Sequence, residues 1–241
     1  MYIEWEQNPG DNPNAYGTNL IATVKEVPFF NEFHITQTIA TTLIVDAVII
    51  VIAILLASNL KKIPKGKQVI SESIIGMVDG LVTSAMGKKQ LYYAPYVLSI
   101  LLFIGCSNIV GLFGLRPPTA DVNTTFALAI ITFILIQFSA IYNQGFIGYL
   151  KSFLDPFFLF LPMNIIGMFA TPISLGFRLF GNITGGMIIV SLLYDAVGKL
   201  AFIPFISVLH IYFDLFSGIL QSFIFCMLTM SFVGSNYPEE K

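Results

Sequence analysis

Two stretches in the second half of the chain constrain its fold more than any other feature. From Pro156 to Tyr194 the only charged residue is Arg178, and from Leu200 to Val233 it is Asp214. A crossing helix needs about 20 apolar residues, and one of about 33 residues would measure about 50 Å against a hydrocarbon core of about 30 Å. Each stretch is therefore two short spans or one helix at a steep tilt. Neither has a polar break at its middle to serve as a loop, which favours two strongly tilted helices meeting as an antiparallel hairpin at Asp195–Lys199.

The composition agrees. Of 241 residues, 56% are hydrophobic and 11% charged, with a mean hydropathy of +0.80. A soluble domain carries about 25% charge, so this chain lacks the polar residues to cover a water-facing surface, and it is too apolar to be disordered. A net charge of −2 argues against nucleic acid, which calls for a basic patch. Cys106 and Cys226 lie in apolar runs and give neither a disulfide framework nor metal-ligand spacing. The sequence predicts an all-α integral membrane protein, a single membrane domain over 1–241, with no metal and no cofactor.

Residues 1–33 carry Glu4, Glu6, Asp11, Glu26 and Glu32 against Lys25 alone, unlike the basic start of a secretory leader. With Asn12-Pro13 and Gly17 they read as an acidic, irregular, extracytoplasmic arm. Residues 34–67 hold a first span, about Ile35 to Ser58, and the basic loop Lys61-Lys62-Ile63-Pro64-Lys65-Gly66-Lys67. Over 68–90, Val69, Ile70, Ser73, Ile74, Met77, Val78 and Leu81 recur at helical spacing with Glu72 and Asp79 off the stripe, the pattern of an amphipathic helix lying in the interface. A helical pair over 91–145 is broken at Arg116–Asp121, Gly145 to Asp155 reads as a loop, and the tilted hairpin fills 156–235. That makes five membrane-embedded helices plus one interfacial helix. Six of the 12 basic residues lie between Lys61 and Lys89, which places that stretch and the carboxyl terminus in the cytoplasm and the amino terminus outside.

Arg178 is the charge that most needs a reason. An arginine at the bilayer centre costs about 2.5–3.5 kcal/mol on insertion scales and about 10–17 in simulation. Its own helix offers no carboxylate within two turns, so it either snorkels or faces a polar cavity or a carboxylate on another chain. Thr171, Ser174, Gly181, Asn182 and Gly185 share its helical face, while Phe177, Leu179, Phe180, Ile183 and Ile188 fall opposite. Small residues around an arginine suggest a surface that lets another helix pass closely. In the last run, His210, Asp214, Ser217, Gly218, Gln221, Phe225 and Thr229 share a face by the same spacing. Asp214 in apolar surroundings is a candidate proton carrier. His210 is open to a structural or a functional reading, and Asp46 to a water pocket or a functional role.

Thr171-Pro172-Ile173-Ser174-Leu175-Gly176-Phe177-Arg178-Leu179-Phe180-Gly181-Asn182 resembles the arginine motif of subunit a of rotary F-type ATP synthases of bacterial type. Pro118-Thr119-Ala120-Asp121-Val122-Asn123-Thr124-Thr125 is similar to the head of that family's fourth helix, and Leu220-Gln221-Ser222-Phe223-Ile224-Phe225 to its glutamine motif. The resemblance covers nearly the whole chain past the arm. It implies a stator subunit of the ion-translocating membrane sector, a non-catalytic ion-channel component of a proton-transporting two-sector ATP synthase, in the bacterial cell (inner) membrane. Two ion half-channels would form against the rotating c-ring, whose carboxylates pass Arg178, the essential rotor-facing charge. Partners would be the c-ring subunits, the b subunit dimer of the peripheral stalk, the F1 sector indirectly, and membrane lipid. Gln221 and Asn182 would attend the arginine, and Asp214, Asp195, His210, Asp121 and Ser217 would line the half-channels.

Three positions depart from the family's pattern. Met187 stands nine residues after the arginine, where many relatives have Glu or His; Asp214 stands seven before the glutamine, where many have His or Glu; and Gly167-Met168 replaces a frequent Glu. Asp214 would then do alone what a pair does elsewhere. Whether the ion is proton or sodium depends on the rotor. The alternative is a secondary transporter with a mid-membrane ion site, but that class shows duplicated halves and broken helices, and this chain has no repeat.

Overall fold

The computed structural model describes residues 2–5, 20–27, 30–58, 61–154, 157–197 and 211–237. The segment expected to be an irregular arm contains an antiparallel sheet. Its strands β1 (Tyr2–Trp5), β2 (Leu20–Val27) and β3 (Phe30–Thr36) lie in that order, with Thr23 between Glu4 and His34. The alternation that would announce these strands is short and is broken by an irregular register at Leu20/Ala22.

The rest of the described chain is helical, and six of its helices are long and apolar enough to cross a membrane. α1 (Gln37–Ala57) begins directly after β3 and is capped by Thr36, whose hydroxyl accepts from Ile39 N at 3.4 Å. α2 (Lys67–Met86) is followed by a 3-10 turn at Lys88–Tyr93, then by α3 (Ala94–Ile109). α4 (Val122–Ser152) is capped by Asp121, which accepts from Asn123 N at 2.9 Å. α5 (Leu161–Val197) is a single helix of 37 residues that runs through Pro172. A π-helical turn at Ile211–Ser217 leads into α6 (Gly218–Gly234).

Three local expectations change. The loop expected from Gly145 is helix as far as Ser152; only Gly145 itself leaves helical geometry, at φ 71°, so the chain kinks there and resumes. The break at Arg116–Asp121 is not an exposed loop: Pro117, Pro118, Thr119 and Ala120 are buried, with a 3-10 turn at Pro118–Ala120. On α2 the buried line is Gln68, Val78, Val82 and Met86, while Val69, Ile70 and Met77 of the expected stripe stay exposed. α2 thus has two apolar sides, one packed and one open.

The core lies among α2 to α6. Ile104, Leu179 and Phe225 are the largest of its fully buried aliphatic and aromatic side chains, joined by Val78, Val82, Ala129, Leu175, Met230 and Val233. α4 turns a line of small residues inward, Thr125, Ala129, Thr132, Ser139 and Ala140, which lets its neighbours approach closely. α1 is peripheral, with Thr38, Thr41 and Val45 buried and most of its later residues exposed. At one end of the bundle the hydroxyls of Tyr92 and Tyr93 meet that of Tyr237 at 2.5 and 3.1 Å. At the other end Asn108, at the close of α3, reaches the start of α6.

Candidate functional site

The two helices that carry the unusual charges meet through a specific pair of hydrogen bonds. Ser217 Oγ donates to Asn182 Oδ1 at 2.9 Å, and Asn182 Nδ2 donates to Ser217 O at 3.4 Å. Four residues further along α5, Gly186 approaches Phe213, four residues back on the other segment; a Cβ on Gly186 would stand 3.1 Å from the Phe213 side chain. A forward step on α5 is matched by a backward step on its partner, so the two run antiparallel. Continued by one more step the other way, this register would pair position 178 with position 221.

Their side chains are placed differently. Arg178 is exposed, as are Ser174, Phe177 and Gly181, whereas Pro172, Leu175, Gly176, Leu179, Ile183, Gly186 and Val190 turn inward. Of the residues expected opposite the arginine, Leu179 and Ile183 are indeed buried, but Phe177 is 56% and Ile188 42% exposed, so both flank its open face. A Cβ built on Gly181 or Gly185 would meet nothing within 4 Å among the described residues. Gln221 is buried, and its Nε2 has no hydrogen-bond partner among the described residues. An amide left that way costs about 1–3 kcal/mol, which singles it out beside the level of a surface arginine.

Above that level lies a polar network that the sequence reading missed. Thr119 Oγ1 donates to Asn108 Oδ1 at 2.6 Å, and Asn108 Nδ2 donates to Gly218 O at 2.9 Å. Both side chains are buried, Thr119 at 0% and Asn108 at 1% exposure. Gly218 is required here, since a Cβ would stand 2.7 Å from that of Asn108. The network therefore links the Pro118–Ala120 turn and α3 to the residue next to Ser217, and through Ser217 to Asn182 on α5. Its signal in the sequence was the lone Asn108 within the apolar run that makes α3.

The other expected site residues fall as follows. Asp121 is half-buried and caps α4. Asp46 is half-buried on α1. Asp195 lies in the last turn of α5, with its side chain outside the described residues; His210 and the Asp195–Lys199 turn beyond Val197 lie outside them as well. Asp214 is in the π-helical turn, and its side chain is likewise outside. That turn changes the geometry assumed for it. A shared face for Asp214 and Gln221 requires α-helical spacing throughout, and π-helix holds an extra residue per turn. Gly218, Gln221, Phe225 and Thr229 do share a face, and it is buried.

A bundle of helices long and apolar enough to cross a membrane, with an exposed arginine on one of them, defines a multi-pass membrane protein. The chain matches the sequence profile of the ATP synthase A chain over residues 39–234, and it belongs to that family. It is 37% identical over 217 residues to the ATP synthase subunit a, sodium ion specific, of Propionigenium modestum, covering 83% of this chain and 74% of that one. It is 32% identical over 211 residues to the ATP synthase subunit a of Moorella thermoacetica, covering 87% and 94%, and 32% identical over 206 residues to an ATP synthase subunit a of Pelobacter propionicus, covering 83% and 87%. The chain is thus an ion-translocating component of the membrane sector of an ATP synthase, part of an assembly with other subunits, which decides against the secondary-transporter alternative.

Proposed function

We propose that this chain is the stator of that sector, forming two ion half-channels against a rotating ring of c subunits and coupling proton or sodium flow to rotation. The observation that carries the reading is the position of Arg178. The only charge between Pro156 and Tyr194 is on an open, small-residue face of α5 and not folded into the bundle. A guanidinium there attracts a rotor carboxylate that has given up its ion to one half-channel; the carboxylate then takes an ion from the other half-channel and leaves neutral on the lipid side. The fixed positive charge also opposes a direct leak between half-channels. Gln221, whose amide nitrogen has no partner among the described residues, orients the guanidinium or the passing carboxylate. Asn182 and Ser217 fix the heights of the two helices.

Asp214 serves as relay of the outer half-channel, with Ser217, Asp121, Asp195 and His210 along the same path. The amino-terminal sheet lies outside and the carboxyl terminus in the cytoplasm of a bacterial inner membrane, with b subunits and, through them, the F1 sector as further partners. α2 lies across the inner surface. In support, the buried residues of α1, Thr38, Thr41 and Val45, are in its first half, and α1 meets the Pro118–Ala120 turn that follows α3. On that reading α1 and α3 are antiparallel, and α2 joins their ends on one side. The sodium-specific relative makes sodium the second candidate ion.

Ion uptake driven by ATP in inverted membrane vesicles tests this reading, followed with a pH dye and with radioactive sodium. Arg178→Lys should abolish uptake while the subunit stays in the assembled sector, because an ammonium is a compact, strongly hydrated charge without the planar donor fork. Asp214→Asn should cut flux strongly with assembly intact. Normal uptake by the first variant removes Arg178 from the mechanism, and normal uptake by the second removes Asp214 from the path.

A further inference from the structure

A groove between α1, α2 and α3 lies away from the arginine face and has a different chemistry. Its volume is about 310 Å³, and its walls are Ile49, Ile52, Ala53, Leu56 and Ala57 of α1, Ser71, Ile74 and Ile75 of α2, and Leu98, Leu102 and Cys106 of α3. Nearly all of that lining is apolar. Ile52 and Ile75 are each 48% exposed, so the groove opens outward. Along α3 it extends from Leu98 to Cys106, about 12 Å at helical rise. A slot of this length with so apolar a lining accommodates a hydrocarbon chain.

The end of the groove where Leu56, Ala57 and Ser71 lie carries the basic loop. Lys61, Lys62 and Lys65 are exposed there, and the loop is held in shape by its own hydrogen bonds. Gln68 Oε1 accepts from Lys61 N at 2.9 Å, and Gln68 Nε2 donates to Lys61 O at 2.8 Å. Lys67 Nζ donates to Leu55 O at 2.6 Å and to Ser58 Oγ at 2.7 Å, closing the end of α1. A fixed basic rim above an apolar slot is complementary to a lipid with a negative headgroup.

We propose that the α1–α2–α3 groove is a binding site for an anionic phospholipid of the leaflet on the lysine side. One acyl chain lies along Ile52, Ala53, Ile75 and Leu102, and the phosphate is held by Lys61, Lys62 and Lys65. The site is separate from the ion path, and Lys67 belongs to the fold and not to the headgroup contact.

The test uses the intact membrane sector in nanodiscs containing phosphatidylglycerol or phosphatidylcholine that carries a photoreactive diazirine on the same acyl chain, with adducts mapped by mass spectrometry. Phosphatidylglycerol should label Ile52, Ala53, Ile75 or Leu102 at least about tenfold more than phosphatidylcholine does. The combined Lys61→Gln, Lys62→Gln and Lys65→Gln variant should remove that preference, and Ala53→Trp should remove labelling of the groove by both lipids. Equal labelling by the two lipids in the unmodified sector overturns the proposal without reference to any variant. So does protection of these residues by the helix of another subunit, seen as their crosslinking to protein and not to lipid. Uptake driven by ATP in the same preparation reports separately on the ion path, so failure of the lipid site and failure of the stator reading are distinguishable.

Discussion

The glycines Gly218 and Gly234 of α6 and the glycines Gly181 and Gly185 beside Arg178 on α5 are used in opposite ways. On α6, Gly218 admits Asn108 and Gly234 admits the backbone of α2; a Cβ at these positions would stand 2.7 Å from Asn108 Cβ and 2.9 Å from Ala85 O. On α5, Gly181 and Gly185 face open space, next to an exposed Arg178. Without water to drive helices together, membrane helices associate through close packing, and small residues are what permit it. The small residues of α6 are filled from within the chain. On α5, Gly176 and Gly186 are likewise filled, by Phe126 and Phe213, but the face with Gly181 and Gly185 remains open among the described residues, and an open stripe of that kind around a charge is what a passing partner helix needs.

The contrast can be broken most severely at Gly218. Gly218→Val places a branched side chain against the Asn108 Cβ and should destabilise the subunit by about 3 kcal/mol, read as its loss from membranes or as a lower temperature of release from the purified sector. Asn108→Leu should come next. It leaves the Thr119 hydroxyl and the Gly218 carbonyl without their partner inside the bundle, a cost of about 2 kcal/mol in the same measurement. The smallest effect on stability belongs to Gly181→Ala. With nothing near the new methyl, the subunit should be unchanged or stabilised by up to about 1 kcal/mol, since alanine favours helix. Ion uptake driven by ATP should nevertheless fall in Gly181→Ala. A Gly181 variant as unstable as the Gly218 one would show that this face of α5 packs against its own chain after all.

The membrane helices were legible because length and apolarity are directly readable, down to the single long α5. Arg178 stands out for the same reason, as the only charge between Pro156 and Tyr194. What escaped depended on pairing. The arm's strands are stabilised by partners distant in sequence and have too little alternation to announce themselves. Pro117-Pro118-Thr119 reads as a loop by composition, yet it is buried because Asn108 receives Thr119. Gly145 reads as an end of helix, and the chain only kinks there. The π-helical turn before α6 leaves no glycine or proline mark until Gly218, so the spacing of Asp214 to Gln221 was taken as α-helical. The height of Gln221 relative to Arg178 follows from two contacts, Asn182 with Ser217 and Gly186 with Phe213, that no periodicity could supply.

The central claim is that the open face of α5 is the surface over which the rotor passes. Disulfide crosslinking in the assembled sector tests it most directly, with single cysteines at Ser174, Gly181 or Gly185 paired with a cysteine one helical turn from the mid-membrane carboxylate of the ring subunit. Ile50, exposed on α1, is the control position. The expected result is a bond from the α5 positions and not from Ile50, with uptake driven by ATP stopped on oxidation and restored on reduction. Crosslinks from Ile50 with none from the three α5 positions would contradict it.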